Sequence, residues 1–129
     1  MSDSFEHLKK RTKQYALRTI RLASSLPETR ICDAIRNQLV RSGTSVGANY
    51  RAACRAKSPR DFCAKMGIVE EEADESVYWM ELIIEAGFVQ EELVQSLMQE
   101  GKELTAIAVA SINTSRKGGG RNVEKPTTP

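Results

Sequence analysis

Apolar side chains recur every three or four residues along most of the chain, which is the spacing of one face of an α-helix. The first such stripe runs from Phe5 to Leu26 and ends at Leu26-Pro27, because the residue before a proline avoids the helical conformation. The same spacing returns three times, and no stretch is convincing as a strand. The pattern predicts helices over about Ser4–Ser25, Glu28–Lys57, Pro59–Ala86 and Gln90–Ser115.

The third predicted helix has the clearest end signals. Ser58 offers a hydroxyl at the N-cap, Pro59 occupies the first helical position, and Asp61 places a carboxylate in the first turn. Gly87 suits the residue that follows a helix C-terminus, since glycine readily adopts a left-handed conformation. We therefore expect this helix to end just before Gly87.

Short connections separate the predicted helices, which favours antiparallel packing of consecutive helices. We therefore predict an all-α fold, an antiparallel up-down-up-down four-helix bundle over residues 1–115. Residues 116–129 contain four bases and one acid, and Val123 is their only aliphatic residue. Such a segment cannot bury enough apolar surface to order itself, so it is predicted to be a disordered basic tail.

Gly43 and Gly47 stand one turn apart in the middle of the second predicted helix, in a run of small polar residues. Glycine in a helix interior costs about 1 kcal/mol relative to alanine, so its presence needs a reason. Two explanations remain open from the sequence. The helix is kinked near Gly43, or the two glycines allow close packing against another helix.

Charge is sorted along the chain. Residues 1–60 carry thirteen Lys and Arg against four Asp and Glu, whereas residues 61–115 carry two against twelve. The formal net charge is only +2, so the total conceals two halves of opposite sign. Such asymmetry indicates either pairing between the halves or an anionic partner for the basic half.

These two explanations involve different residues. Bases in the glycine-containing stretch are candidates for ion pairs between helices or between subunits, facing acids of the third helix. Bases of the first helix have no acidic counterpart nearby in the sequence and are the better candidates for binding RNA or DNA phosphates. The ion-pair candidates are Arg41, Arg51, Arg55, Glu71, Asp74 and Glu75, and the nucleic-acid candidates are Lys9, Lys10, Lys13 and Arg18.

The sequence gives little indication of a catalytic site or a metal site. The acidic run Glu70–Glu75 could suggest a carboxylate metal centre, but di-iron bundles also require Glu-x-x-His motifs, and the single histidine is His7. Serine and cysteine nucleophiles lack a histidine base apart from His7, and no glycine-rich phosphate loop is present. The sequence therefore predicts no enzyme, no cofactor and no metal.

Three cysteines without a Cys-x-x-Cys pair, and no apolar run long enough to cross a membrane, favour a soluble protein of the reducing cytoplasm.

Three runs resemble one known family: Leu39–Ala53 (LVRSGTSVGANYRAA), Ile68–Ser76 (IVEEEADES), and Tyr78-Trp79 through to Gly87. The chain resembles the four helix bundle proteins, also called 23S rRNA intervening-sequence proteins, over about residues 5–115. Relatives include the accessory protein of diversity-generating retroelements, a basic bundle that assists a reverse transcriptase. The resemblance implies a four-helix bundle assembled as a homopentameric ring, with no known catalytic activity.

Two functions follow as hypotheses. In the first, the protein is a non-enzymatic homo-oligomer, a ring-forming scaffold or adaptor whose charges largely pair within and between subunits. In the second, it is an accessory protein that binds RNA or DNA weakly and with little sequence specificity, through basic faces of the first and second helices. No membrane partner or small-molecule substrate is indicated.

Overall fold

A computed structural model describes residues 2–118, which form four α-helices. They are α1 (Ser2–Ser24), α2 (Arg30–Cys54), α3 (Pro59–Glu85) and α4 (Glu91–Gly118). The predicted all-α fold is confirmed, with helix ends displaced by a few residues. α4 continues three residues past Ser115, where Arg116 and Lys117 complement the negative end of the helix dipole. The rest of the predicted tail, residues 119–129, lies outside the described residues.

Side-chain caps start α2 and α3. The Thr29 hydroxyl accepts a hydrogen bond from the backbone N–H of Cys32 at 3.1 Å, so α2 begins two residues later than predicted. The Ser58 hydroxyl accepts from the N–H of Asp61 at 3.0 Å, with Pro59 in the first turn. The predicted start of α3 is therefore confirmed.

Gly87 ends α3 in the way that the sequence predicts. Its φ angle of +81° lies in the left-handed region that favours glycine. The N–H of Gly87 donates to the Ile84 carbonyl at 3.0 Å, and the N–H of Phe88 donates to the Ile83 carbonyl at 2.9 Å. This pair of bonds is the Schellman motif, which satisfies carbonyls that the end of the helix leaves without partners.

Consecutive helices run antiparallel. Along α1 and α2, and again along α3 and α4, residue numbers rise on one helix as they fall on the neighbour it contacts. The contacts that show this are Thr19–Gly43 and Thr12–Gly47 for the first pair, and Cys63–Ile112 and Val77–Gly101 for the second. Within residues 2–118, no helix is sufficiently long and apolar to cross a lipid bilayer.

The core lies between the inward faces of the four helices and contains the predicted stripes. Tyr15 is fully buried at its centre, where its hydroxyl lies 2.6 Å from Ser76 Oγ. Ser76 Oγ in turn donates to the Ala73 carbonyl at 2.7 Å, so Tyr15 is the donor of the first bond. Burial raises the pKa of Tyr15 to about 12, so the phenol stays neutral. The largest fully buried side chains also include Leu39, Val46, Met66, Met80, Ile83 and Val94.

Close packing explains the two central glycines of α2. A Cβ at Gly43 would lie 2.5 Å from Thr19 Cγ2, and one at Gly47 would lie 3.2 Å from Thr12 Oγ1. Both threonines are buried and bond to carbonyls of their own helix. α2 continues through both glycines, and their lack of side chains is what allows α1 to approach so closely.

Candidate functional site

Arg41 is the predicted ion-pair residue that meets acids of α3. Its guanidinium lies 2.5 Å from a Glu75 carboxylate oxygen and 3.2 Å from one of Glu72. The indole N–H of Trp79 also donates to Glu75 at 3.1 Å. The hydrogen bond from Trp79, together with that from Arg41, holds the pKa of Glu75 below its ordinary value. These contacts tie the middle of α2 to the middle of α3.

Two acids that the sequence singled out lie away from this pair. Glu71 and Asp74 are exposed and form no ion pair within the described part of the chain. The reason is helical geometry, because neighbouring residues of a helix are rotated by about 100°. Glu72 therefore faces α2, whereas Glu71 points further out. Glu72 was not among the predicted partners of Arg41.

Arg51 and Arg55 likewise form no ion pair among residues 5–118, and both are exposed. They follow Gly47 at one-turn intervals, and Gly47 lies against α1. The two arginines therefore extend along the edge of α2 next to α1. The predicted pairing of these residues with acids of α3 does not occur within the chain, because α3 packs on another side of α2.

The four bases predicted on α1 divide into two pairs. Lys9 lies 3.2 Å from Glu6, and Arg18 donates to Ser96 Oγ of α4 at 3.0 Å. Lys10 and Lys13 are exposed and have no acidic partner in the part of the chain that the structure describes. Two of the predicted candidates are thus available to an external ligand and two are partly engaged.

Arg11 forms contacts that were not predicted from the sequence. Its Nε and one terminal nitrogen donate to the two carboxylate oxygens of Glu100, at 2.6 and 2.9 Å, and the same nitrogen reaches Glu103 at 2.7 Å. The hydrogen bond from Arg11 holds the pKa of Glu100 below its ordinary value. Such bidentate pairs are among the stronger polar contacts in proteins, and this one fastens α1 to α4.

Some of the exposed charges without an ion pair form two groups, one on each of two sides of the bundle. We define the basic face as Lys10, Lys13, Arg51 and Arg55 of α1 and α2, and the acidic face as Glu71, Asp74, Glu81 and Glu85 of α3, all of them exposed. Within α1 and α3, Tyr15 and Ser76 mark the inward sides, and they touch in the core. Lys10 and Lys13 lie on the side of α1 opposite Tyr15, and the acidic face lies on the side of α3 opposite Ser76.

Two further features bear on chemistry. Within residues 2–118, no cluster of three or more His, Cys, Asp or Glu side chains is arranged to hold a metal ion. Burial raises the pKa of the half-buried Cys54 thiol, which lies beside Tyr50. A protonated thiol is a poor nucleophile, so nothing here activates Cys54 for covalent chemistry.

The family model of the 23S rRNA-intervening sequence proteins matches residues 7–110, which is most of the chain and includes all four helices. This chain belongs to that family. The resemblance seen in the sequence runs of α2 and α3 is therefore confirmed at the level of the family. Comparison with curated proteins gives no match.

A solved relative has the same fold as this 23S rRNA-intervening sequence protein. It is a protein of unknown function from the S23 ribosomal protein family of Bacteroides thetaiotaomicron, whose crystal structure was determined at 1.70 Å. The two chains are 33% identical, with a TM-score of 0.75 over 81% of this chain and 96% of the relative. The comparison supports the four-helix architecture and assigns no activity.

The contacts of Arg11 with Glu100 and Glu103 were not predicted, but the sequence of this family member contains a signal of them. Glu100 and Glu103 stand three residues apart on α4, a spacing that puts both on one helix face. Arg11 stands between the core residues Leu8 and Tyr15, so its side chain leaves the helix beside the core. Reading α1 and α4 together would have suggested this pair, whereas reading each helix alone does not.

Proposed function

We propose that this protein is a non-catalytic scaffold that assembles with copies of itself. The family resemblance implies that the assembly is a pentameric ring. The observation that carries the proposal is the separation of unpaired charge onto a basic face and an acidic face. Opposite charges on opposite sides of one chain cannot neutralise each other within that chain. A second copy presents the complementary face, so association removes the imbalance.

Exposed apolar side chains support the same proposal. Single exposed hydrophobic residues are ordinary on protein surfaces, so only their position carries weight. Leu17 and Ile20 of α1 are 38% and 41% exposed and stand next to Lys13, while Tyr78 of α3 is 52% exposed and stands next to Asp74 and Glu71 in helical register. Each charged face thus has an apolar part. Protein interfaces combine charges, which steer the partners together, with apolar surface, which is buried on binding.

Sedimentation velocity of the purified chain at micromolar concentration tests the assembly. We expect a single species of several times the 14.3 kDa chain mass, and five times that mass for the pentamer. A stable monomer in moderate salt would contradict the proposal. Light scattering coupled to size exclusion gives the mass independently of shape and so separates a compact ring from an elongated smaller species.

We propose nucleic-acid binding as a second function, supported by the four unpaired bases of the basic face. The basic face is exposed, and α1 and α2 are neighbours in the bundle, so phosphates can reach all four of its bases. Phosphate contacts release counterions, so the logarithm of affinity should fall by about 0.7–0.9 per contact for each tenfold rise in salt. Binding of this kind carries little sequence specificity.

Electrophoretic mobility with labelled RNA and DNA at about 50 mM salt tests this function, since phosphate contacts are strongest at low salt. Lys10→Gln with Lys13→Gln, and Arg51→Gln with Arg55→Gln, should each weaken retention and reduce its salt dependence. Arg60→Gln with Lys102→Gln removes two exposed bases from α3 and α4 and should have little effect. Equal losses in all three double variants would show that the basic face is not the binding surface.

A further inference from the structure

α1 carries a second stripe on the side that faces away from the core. Its members are spaced alternately by four and three residues, like the seam of a coiled coil, and every one is exposed. Two bases occupy its N-terminal half and two aliphatic residues its C-terminal half. We call this set the α1 stripe; it consists of Glu6, Lys10, Lys13, Leu17, Ile20 and Ser24.

α3 carries a matching stripe on its own outward side, again with alternating spacings of four and three residues. Two acids occupy the centre, and the ends are apolar. Tyr78 is 52% exposed, and an edge-on contact with Trp79, with ring centroids 5.3 Å apart, fixes its ring. We call this set the α3 stripe; it consists of Ala64, Gly67, Glu71, Asp74 and Tyr78.

The two stripes complement each other position by position. When the helices run in opposite directions, Lys10 lies against Asp74 and Lys13 against Glu71. The common spacing then sets Leu17 against Gly67 and Ile20 against Ala64. When the helices run in the same direction, Lys10 meets Glu71, Lys13 meets Asp74, and Leu17 meets Tyr78. Charge therefore faces opposite charge and apolar faces apolar in either direction.

One chain cannot bring its own two stripes together. α1 and α3 meet in the core through Tyr15 and Ser76, and each stripe lies on the far side of its helix from that contact. The stripes therefore point away from each other. Contact between them requires two molecules, one contributing α1 and the other α3.

We infer that the α1 stripe of one copy docks on the α3 stripe of a second copy, which makes the assembly head-to-tail. This inference rests on the self-assembly proposed above and names the surfaces that produce it. Each copy uses both stripes, so the contact repeats from copy to copy and either closes into a ring or extends into a filament.

Charge reversal on one stripe at a time tests the inference. Lys10→Glu with Lys13→Glu places acids against the acidic α3 stripe, and Glu71→Lys with Asp74→Lys places bases against the α1 stripe. Glu75 is left unchanged because it lies toward α2 and bonds Arg41 and Trp79. Each double variant should sediment as a monomer, while circular dichroism shows unchanged helix content.

The combined variant with all four reversals provides the decisive measurement. It restores opposite charges at every contact, so it should recover the mass of the wild-type assembly. Matched controls are Arg30→Glu with Lys57→Glu, and Glu28→Lys with Glu92→Lys, which make the same charge changes at exposed positions outside both stripes. The controls should keep the wild-type mass.

Three results would overturn the inference. Double variants that keep the wild-type mass would place the contact elsewhere, although self-assembly itself would stand. A folded quadruple variant that stays monomeric would show that the two stripes are not partners. Loss of RNA retention by the α1 variant without any change in mass would assign the α1 stripe to nucleic acid. A monomeric wild type is a different failure, since it would contradict the proposed scaffold.

Discussion

Arg11 connects two helices that are distant in sequence through three hydrogen bonds to Glu100 and Glu103. Its side chain is 26% exposed and that of Glu100 is 18% exposed, so water screens this pair less than it screens a surface ion pair. Partly buried bidentate pairs contribute more to stability than exposed pairs do. Arg11 is therefore better assigned to holding the bundle together than to binding a ligand.

The Glu100 carboxylate should make stability depend on acid pH. Its pKa is lowered in the folded protein from the ordinary 4.5, so its stabilising effect is complete above that value and is lost as pH falls through the folded pKa. Denaturant unfolding of the wild type and of Glu100→Gln should therefore differ at pH 7, and this difference should shrink as the pH falls below the ordinary 4.5. A difference that stays constant from pH 7 to pH 3 would contradict this role, and Glu92→Gln is the exposed control.

Gly43 and Gly67 should respond in opposite ways to alanine. A Cβ at Gly43 would lie 2.5 Å from the buried Thr19 side chain, whereas a Cβ at Gly67 would meet no atom within 4 Å. Gly43→Ala should therefore destabilise the fold by about 1–3 kcal/mol through overpacking. Gly67→Ala should stabilise it by about 0.5–1 kcal/mol, because alanine loses less backbone entropy in a helix. Equal effects in chemical denaturation would show that α1 does not pack on Gly43.

At the scale of the helices, the C-terminal end of α1 depends on a residue of α2. Arg36 donates to the carbonyls of Ala23, Leu26 and Pro27 at 3.0, 2.9 and 3.1 Å. Ala23 lies in the last turn of α1, whose carbonyls have no partner within the helix, and Leu26 and Pro27 lie in the connection that follows. The guanidinium therefore caps the end of α1 and complements its dipole. It also holds the chain in position as it passes from α1 into α2.

Arg36→Gln should lower the free energy of unfolding by about 1.5–3 kcal/mol, the range for hydrogen bonds to a charged group. Arg30→Gln is the matched control, since Arg30 is exposed in the first turn of the same helix and forms no hydrogen bond through its side chain among the described residues. The control should stay within about 0.5 kcal/mol of wild type. Equal losses in the two variants would mean that net charge, rather than capping, is responsible.

The sequence anticipated the ends and faces of the helices better than it anticipated their partners. Ser58, Pro59 and Gly87 act within one turn of the chain, so their roles follow from local chemistry and were predicted. Arg36 and Arg11 act on residues of another helix. Their roles depend on how far each helix is rotated and shifted against its neighbour, and a single helix pattern does not contain that information.

At the scale of the whole molecule, the charges sorted along the chain become charges sorted in space. α1 and α2 come from the basic half and α3 and α4 from the acidic half. Contacts between the halves neutralise part of this charge, through Arg41 with Glu72 and Glu75 and through Arg11 with Glu100 and Glu103. The basic and acidic faces are among the charges that remain after those pairs form.

Salt should weaken the proposed self-assembly. Raising the salt from 0.1 M to 1 M shortens the screening length from about 10 Å to about 3 Å, which reduces the attraction between exposed opposite charges. Sedimentation equilibrium should therefore show weaker association at 1 M salt. The exposed Leu17, Ile20 and Tyr78 should limit this loss, because apolar burial is not screened. Stronger association at high salt would indicate a mainly apolar contact.

The sequence by itself determined the number of helices, their inward faces, the caps of α3 and the separation of charge between two halves, because each of these depends on neighbours within a few residues or on composition. Only the tertiary structure decided which charges are neutralised. It assigned Arg41 to Glu72 and Glu75 and joined Arg11 to Glu100. It left four bases without an acidic partner in residues 5–118: Lys10, Lys13, Arg51 and Arg55. The physical reason is that an ion pair requires contact within about 4 Å. The packing of one helix against another sets that distance, and the spacing of residues along the chain does not.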